Sequence, residues 1–91
     1  MVHVRLTRHL IRFFPGLPEH HDMNVASVAD VVASLDASWP GLGDYLVDEH
    51  GSLRKHVNIF VNSDRVSDRR KLSDALHDTD SVHILQALSG G

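Results

Sequence analysis

The sequence predicts an α+β fold in which one main helix packs on one face of a mixed β-sheet. Apolar and polar residues alternate from Val2 to Thr7, which is the pattern of a strand with one buried face. From 25 to 35 the apolar residues instead recur every three or four positions, as on an amphipathic helix. The segments 57–62 and 81–88 are strand-like, and the long stretch between the first and last strands allows them to pair in parallel.

Length and composition restrict the class of protein. The chain has 91 residues and is predicted to form a single domain over 1–91. Its net charge of −3, with dispersed Lys and Arg, argues against a nucleic-acid surface. No apolar run is long enough to cross a membrane, so a cytoplasmic location is expected. The absence of cysteine removes disulfides, thiolate metal sites and thiol-based catalysis.

The N-terminal segments differ in how clearly they are patterned. In the first strand, Val2, Val4 and Leu6 should point inward. Residues 8–14 are apolar without a clear period and fit either a helical turn or a second strand. Residues 19–23 are predicted to form a short strand beside the first.

The main helix is predicted to start after Asn24, whose side chain can accept a hydrogen bond from a free helix amide. Its apolar stripe consists of Val25, Val28, Val32 and Leu35, with Val31 and Trp39 at its flank. Pro40-Gly41 should end this helix. A second short helical turn is predicted around 42–46, followed by a polar loop over 48–56.

Strand parity divides the side chains of the two later strands between the faces of the sheet. Those predicted to face the helix are Val57, Ile59, Val61, Val82 and Ile84. Phe60, Leu85 and Ala87 then face away and form an apolar patch that leads toward Leu88 and the tail. Exposed apolar patches often mark partner sites. The alternative is that residues 8–14 fold over this face and cover it.

The chain ends on Ser89-Gly90-Gly91. Glycine costs more chain entropy to order than any other residue. Two terminal glycines therefore suit a tail that enters a narrow site on another protein, where only backbone has to fit. Residues 88–91 are expected to form a flexible tail whose reactive group is the α-carboxylate of Gly91. The alternative is an inert, frayed end.

Several segments together carry a family resemblance that covers nearly the whole chain. They are Phe14-Pro15-Gly16-Leu17-Pro18, Trp39-Pro40-Gly41-Leu42, Leu46 to Gly51 with Leu53-Arg54, His56 to Asn62, and Gly90-Gly91. The chain resembles the ubiquitin-like β-grasp sulfur carriers of the MoaD and ThiS group, and more the MoaD branch. It departs from the family pattern at Thr79, where a Gly is common, at Gln86-Ala87, where Pro-Ala is frequent, and at Ser89, where Ala or Gly is usual.

The resemblance implies a β-grasp fold and a carrier protein rather than an enzyme. An E1-like partner would adenylate the carboxylate of Gly91 with ATP and magnesium, neither of which the carrier itself binds. A sulfur donor would then displace AMP and leave a thiocarboxylate on Gly91, next to Gly90. The resemblance also implies an acceptor enzyme, such as the large subunit of molybdopterin synthase. The partner-binding residues are predicted to be Phe60, Leu85, Ala87, Leu88 and Ser89.

Other functions and sites remain open at this point. The sulfur acceptor could belong to molybdopterin, cysteine or thiamine synthesis. Alternatively, the chain could be a β-grasp binding module with an inert tail, or a ubiquitin-like modifier; its own lysines are Lys55 and Lys71. Eight histidines are present, but His20-His21-Asp22 is the only local cluster and no spacing predicts zinc. The charged run 68–71 is predicted to be a solvated loop.

Overall fold

The computed structural model describes residues 1–86, which form a five-stranded sheet with three helices. The elements are β1 (Val2–Leu6), α1 (Arg8–Phe13), β2 (His20–Met23), α2 (Val28–Ser38), α3 (Leu42–Leu46), β3 (Val57–Val61), β4 (Asp64–Arg65) and β5 (Ser81–Gln86). The strand order is β2-β1-β5-β3-β4, and β1 and β5 run parallel while the other pairs are antiparallel. The predicted α+β fold and the parallel pairing of the first and last strands are both confirmed.

The core lies between the sheet and its helices. The inward strand residues are Val2, Val4, Leu6, Val57, Ile59, Val82 and Ile84, and each is at most 1% exposed. Val28, Val32 and Leu35 of the predicted stripe pack against them, together with Val31, which was predicted at the flank. Val25, the first residue of the predicted stripe, precedes the helix and is only partly buried against the core. Because alternate strand residues point to opposite faces, burial of this set leaves the intervening residues on an outward face.

Residues 8–14, which fit a helix or a strand, form helix α1 and its C-cap Phe14. Leu10 is completely buried in the core, and Ile11 and Phe14 pack against it. The segment therefore lies at the core and does not fold over the outward face of the sheet.

Helix α2 begins at Val28, three residues later than the Asn24 cap predicts. The N-cap is Ser27, whose Oγ accepts from the amide of Asp30 at 3.2 Å. Asp30 in turn accepts from the amide of Ala26 through Oδ2 at 3.3 Å. The prediction of Asn24 was wrong because two residues of suitable chemistry precede the helix, and it is the Ser27 hydroxyl, three residues before Asp30, that accepts from a free amide of the first turn.

The loop before β5 is built around an aspartate. Asp68 accepts hydrogen bonds from the amides of Arg70, Lys71 and Ser73 and from the Ser73 hydroxyl, the last at 2.6 Å. These bonds, led by the one from the hydroxyl of Ser73, lower the pKa of Asp68 to about 2. Residues 68–71 form a loop, as predicted, and the carboxylate of Asp68 organises it through these hydrogen bonds.

The turn into β5 explains how Thr79 can stand where the family commonly has a glycine. The amide of Asp80 donates to the carbonyl of His77 at 3.0 Å, and Asp80 Oδ2 accepts from the amide of His77 at 2.8 Å. Among the described residues, the non-glycine positions with positive φ are Asn62 and Leu72. The turn therefore takes a geometry in which Thr79, a β-branched residue, needs no left-handed backbone.

Candidate partner-binding face and C-terminal tail

Strand β5 positions the candidate site because it lies in the middle of the sheet, between β1 and β3, and leads directly into the tail. Its last residue is Gln86. Ala87, Leu88, Ser89, Gly90 and Gly91 lie outside the described residues, so what the sequence predicts for them stays a prediction. The structure instead shows the surface from which the tail continues.

Phe60 and Leu85 both lie on the outward face, as strand parity predicts. Both are partly exposed, and neither belongs to the hydrophobic core or to the side chains packed against it. Phe60 pairs with His83 and Asn58 pairs with Leu85, so the two apolar side chains are diagonal neighbours on adjacent strands. The structure brings them together, and their role in partner binding remains a prediction.

A row of basic and aromatic side chains crosses the same face. The register aligns His20 of β2, Arg5 of β1, His83 of β5, Phe60 of β3 and Arg65 of β4. We call these five residues the cross-sheet row. Side chains directly opposite each other on neighbouring strands have Cβ atoms roughly 5 Å apart. The sequence does not reveal this row, because the register between strands distant in sequence is set by the packed fold.

The electrostatic effect of the row is visible at His83. Partial burial, followed by the positive charge of Arg5, lowers the pKa of His83 below its usual 6.5. The neutral imidazole therefore dominates at neutral pH. A negative charge brought close to this neutral histidine would favour its protonated form, the imidazolium.

An aromatic cluster holds the end of β5. The amide nitrogen of the Gln86 side chain donates to the hydroxyl of Tyr45 at 3.0 Å. The Tyr45 ring lies 5.5 Å from the ring of Phe13 and 6.1 Å from that of Phe14, centroid to centroid. Helices α1 and α3 thus fix the last described residue before the tail, a contact that sequence patterning had not indicated.

The start of β3, which pairs with the end of β5, is held by Arg69. Its guanidinium donates to the carbonyls of Arg54 and Val57 at 2.9 and 3.0 Å, and to Asn58 Oδ1 at 3.2 Å. Val57 pairs with Gln86. Arg69 therefore supports the strand that pairs with Gln86, the last described residue, although the sequence suggested a solvated charge.

The histidines of β1 and β2 make different contacts although His3, His20 and His21 line one cavity. His3 Nδ1 lies 2.6 Å from Asp22 Oδ1, while the ring of His21 stands edge-on to Trp39 at 5.0 Å. Within residues 1–86, no group of three or more His, Cys, Asp or Glu side chains is arranged to hold a metal ion. In the same part of the chain, no helix is both long and apolar enough to cross a membrane.

The family model of the ThiS family matches residues 6–91. This match includes nearly all of the described domain and the terminal glycines. It is a match to the ThiS family as a whole, so the narrower prediction of the MoaD branch stays a prediction.

Two curated relatives agree with this family. The sulfur carrier protein CysO of Mycobacterium tuberculosis is 40% identical over 63 residues, which is 67% of this chain and 68% of the relative. Small archaeal modifier protein 3 of Haloferax volcanii is 35% identical over 66 residues, which is 72% of this chain and 71% of the relative.

Solved structures share the fold. The crystal structure of Mycobacterium tuberculosis CysO has a TM-score of 0.82 and 30% identity, covering 97% of this chain and 100% of that one. A chain in the crystal structure of the Amycolatopsis orientalis BexX/CysO complex has a TM-score of 0.83 and 24% identity, covering 100% of both chains. The chain therefore belongs to the ThiS family of ubiquitin-like sulfur carriers, which are carrier or modifier proteins and not enzymes themselves.

Proposed function

We propose that this protein carries sulfur as a thiocarboxylate on Gly91, after an E1-like enzyme has activated the Gly91 carboxylate. The observation that carries the proposal is the ThiS-family match over residues 6–91, which extends through the terminal Gly90-Gly91. The chain contains no cysteine, so it cannot hold the sulfur as a persulfide on its own side chain.

The chemistry requires activation, because a carboxylate is a poor electrophile. A carboxylate oxygen of Gly91 attacks the α-phosphorus of ATP and pyrophosphate leaves, which gives an acyl-adenylate. Hydrosulfide then attacks the carbonyl carbon, AMP leaves with the bonding pair, and one proton is released. The product is a thiocarboxylate on Gly91. ATP and magnesium are bound by the activating enzyme in this proposal.

The partner-binding surface is proposed to include Phe60, Leu85, Ala87, Leu88 and Ser89. Phe60 and Leu85 support this because they are outward-facing, partly exposed and adjacent to the strand that leads into the tail. Apolar groups on an uncovered sheet face lose unfavourable contact with water when a partner docks.

For the acceptor, we propose cysteine synthesis as the first pathway to test. Both the 40%-identical relative and the 30%-identical structure are CysO proteins. Molybdopterin synthesis, which the resemblance to the MoaD branch suggests, is the second pathway to test, and thiamine synthesis the third. The assay adds the candidate acceptor substrates to the thiocarboxylated protein and follows return of the terminal carboxylate by mass.

The test of the carrier proposal is the intact mass of the protein after incubation with an E1-like enzyme, ATP, magnesium and sulfide. We expect a mass gain equal to the exchange of one oxygen for sulfur. Deletion of Gly90-Gly91 should abolish the gain, because the reacting carboxylate is then misplaced. Deletion should leave the melting temperature nearly unchanged, because the described sheet ends at Gln86. Sulfur uptake by the truncated protein would refute the proposal.

A second candidate function is protein modification, favoured by the 35% identity to small archaeal modifier protein 3. It uses the same activated carboxylate but transfers it to a lysine amine of another protein. Covalent adducts in extracts of the source cells, lost when Gly91 is deleted, would establish this use. Formation of thiocarboxylate without adducts would leave sulfur transfer as the function.

A further inference from the structure

The cross-sheet row is cationic although the chain as a whole is not. The net charge of the protein is −3. The row places Arg5 and Arg65 on either side of His83 and Phe60, and it contains no carboxylate. Positive charge along one row of an acidic protein indicates a surface that meets the opposite charge.

The acids near this face do not neutralise its centre. Asp22 is hydrogen-bonded to His3, and Glu19 lies 3.6 Å from Nε2 of His20, at the β2 edge. Within residues 1–86, the guanidinium groups of Arg5 and Arg65 form no ion pair with a carboxylate. The central part of the row therefore keeps its capacity to bind an anionic partner.

We propose that this face, centred on Arg5, His83, Phe60 and Arg65, docks against a carboxylate-bearing surface of the activating enzyme. The inference rests on the proposed function and deepens it by naming the chemistry of the partner surface. Phe60 supplies apolar contact between the charges, so the same row combines burial of apolar area with charge complementarity.

The position of the row fits an enzyme that also takes the tail. His83 belongs to β5, and the eight residues 84–91 span at most roughly 29 Å when fully extended. An enzyme that holds the row can therefore receive Gly91 in an adenylation site no farther away than this. When the enzyme binds the row it holds β5 in place. Residues C-terminal to β5 then need only reach the adenylation site.

Docking of carboxylates beside His83 should couple binding to protonation. His83 is faced by Arg5 from β1 and by Phe60 from β3. The other charged or titratable side chains on or beside this face within residues 1–86 are His3, Glu19, His20, Asp22, Arg65, Arg69 and Asp80, the last hydrogen-bonded to Asn62. A partner carboxylate favours the imidazolium, so the complex binds more protons than the free proteins do. Affinity should therefore rise as pH falls from 8 to 6.

The experiment measures association of the protein with an E1-like enzyme from the same genome, at low and high salt and at pH 6 and 8. Arg5→Glu should lower the association rate by roughly tenfold or more at low salt and by less at high salt. His83→Gln should flatten the pH dependence. Lys71→Glu is the matched control, since it makes the same charge change beside Ala29 and Val32 of α2, on the helix side.

The outcomes separate this inference from the proposed function. Unchanged binding of Arg5→Glu, or an equal loss with Lys71→Glu, overturns the docking proposal even if sulfur uptake depends on Gly91. Absence of any binding by the wild-type chain also overturns it. Sulfur uptake that survives deletion of Gly90-Gly91 instead refutes the carrier chemistry, whatever the Arg5 variant does. Thermal unfolding of each variant shows that the fold is intact.

Discussion

At the scale of single residues, neighbouring positions on β3 have opposite roles. Phe60 is outward and partly exposed, whereas Ile59 is 1% exposed in the core. Phe60→Asp should weaken binding to the activating enzyme, because it introduces an anion into the proposed docking face, while the melting temperature changes little. Ile59→Ala should do the reverse and lower the free energy of unfolding by about 2–5 kcal/mol. Equal enzyme affinity for Phe60→Asp and wild type would contradict the apolar patch.

Asp68 should make the stability of the fold depend on acid. Hydrogen bonds, led by the one from the Ser73 hydroxyl, lower the pKa of Asp68 in the folded protein to about 2, below its usual 3.8. Its stabilising effect is therefore fully present above about pH 4 and is lost as pH falls toward 2. Asp68→Asn should reduce stability at pH 7 and flatten the loss between pH 4 and 2 in denaturant titrations.

The matched control for Asp68 is Asp64→Asn on β4, because the Asp64 carboxylate accepts no hydrogen bond from the described residues. This control should keep the wild-type stability at pH 7 and the wild-type acid profile. An Asp68→Asn profile identical to that of the control would show that the loop 68–73 contributes nothing to acid sensitivity.

The sequence pattern predicted which side chains are buried better than it predicted which polar groups are in contact. Alternation in β1, β3 and β5 correctly assigned Phe60 and Leu85 to the outward face. The same alternation left His83 and Arg5 on that face, but their alignment depends on a register between strands 78 residues apart at His3 and Ser81. The contacts of Asp68 and Arg69 were not predicted, because most of their partners are backbone groups and the others, Ser73 and Asn58, are brought near by the fold, so no sequence pattern displays them.

At the scale of elements, the start of α2 depends on one side chain. Ser27 Oγ accepts from the amide of Asp30, and Ser27→Ala removes this cap. We expect the free energy of unfolding to fall by about 1 kcal/mol. Ser34→Ala, inside α2, is the control and should be neutral or slightly stabilising, because alanine has the higher helix propensity. Equal stability of the two variants would refute the capping role.

Among the elements, α1 shows what a local pattern cannot decide. Residues 8–14 carry Leu10, Ile11, Phe13 and Phe14 without a period that distinguishes helix from strand. The helix forms because Leu10 fills the core and because Phe13 and Phe14 meet Tyr45 from α3. Those contacts come from a segment about thirty residues away, so the choice is made by tertiary packing.

At the scale of the whole molecule, the inward face of the sheet contributes to stability and the outward face is the one proposed to bind partners. The inward face and the helices hold the buried apolar side chains, while the outward face carries Phe60, Leu85 and the cross-sheet row. Substitutions on the outward face should therefore change partner affinity with little effect on unfolding, and substitutions on the inward face should do the opposite. The sequence predicted this division through alternation, but it could not indicate the charge of the outward face.

The parallel pairing of β1 with β5 also governs how the protein folds. These strands come from opposite ends of the described chain, and β5 must enter between β1 and β3 before the sheet is continuous. Closing so long a loop costs entropy before its contacts form, which slows folding and opposes stable partial structures. The sheet is therefore continuous only once β5 has paired with both of its neighbours. The segment that presents Gly91 therefore acquires its rigid base only when the entire sheet has formed.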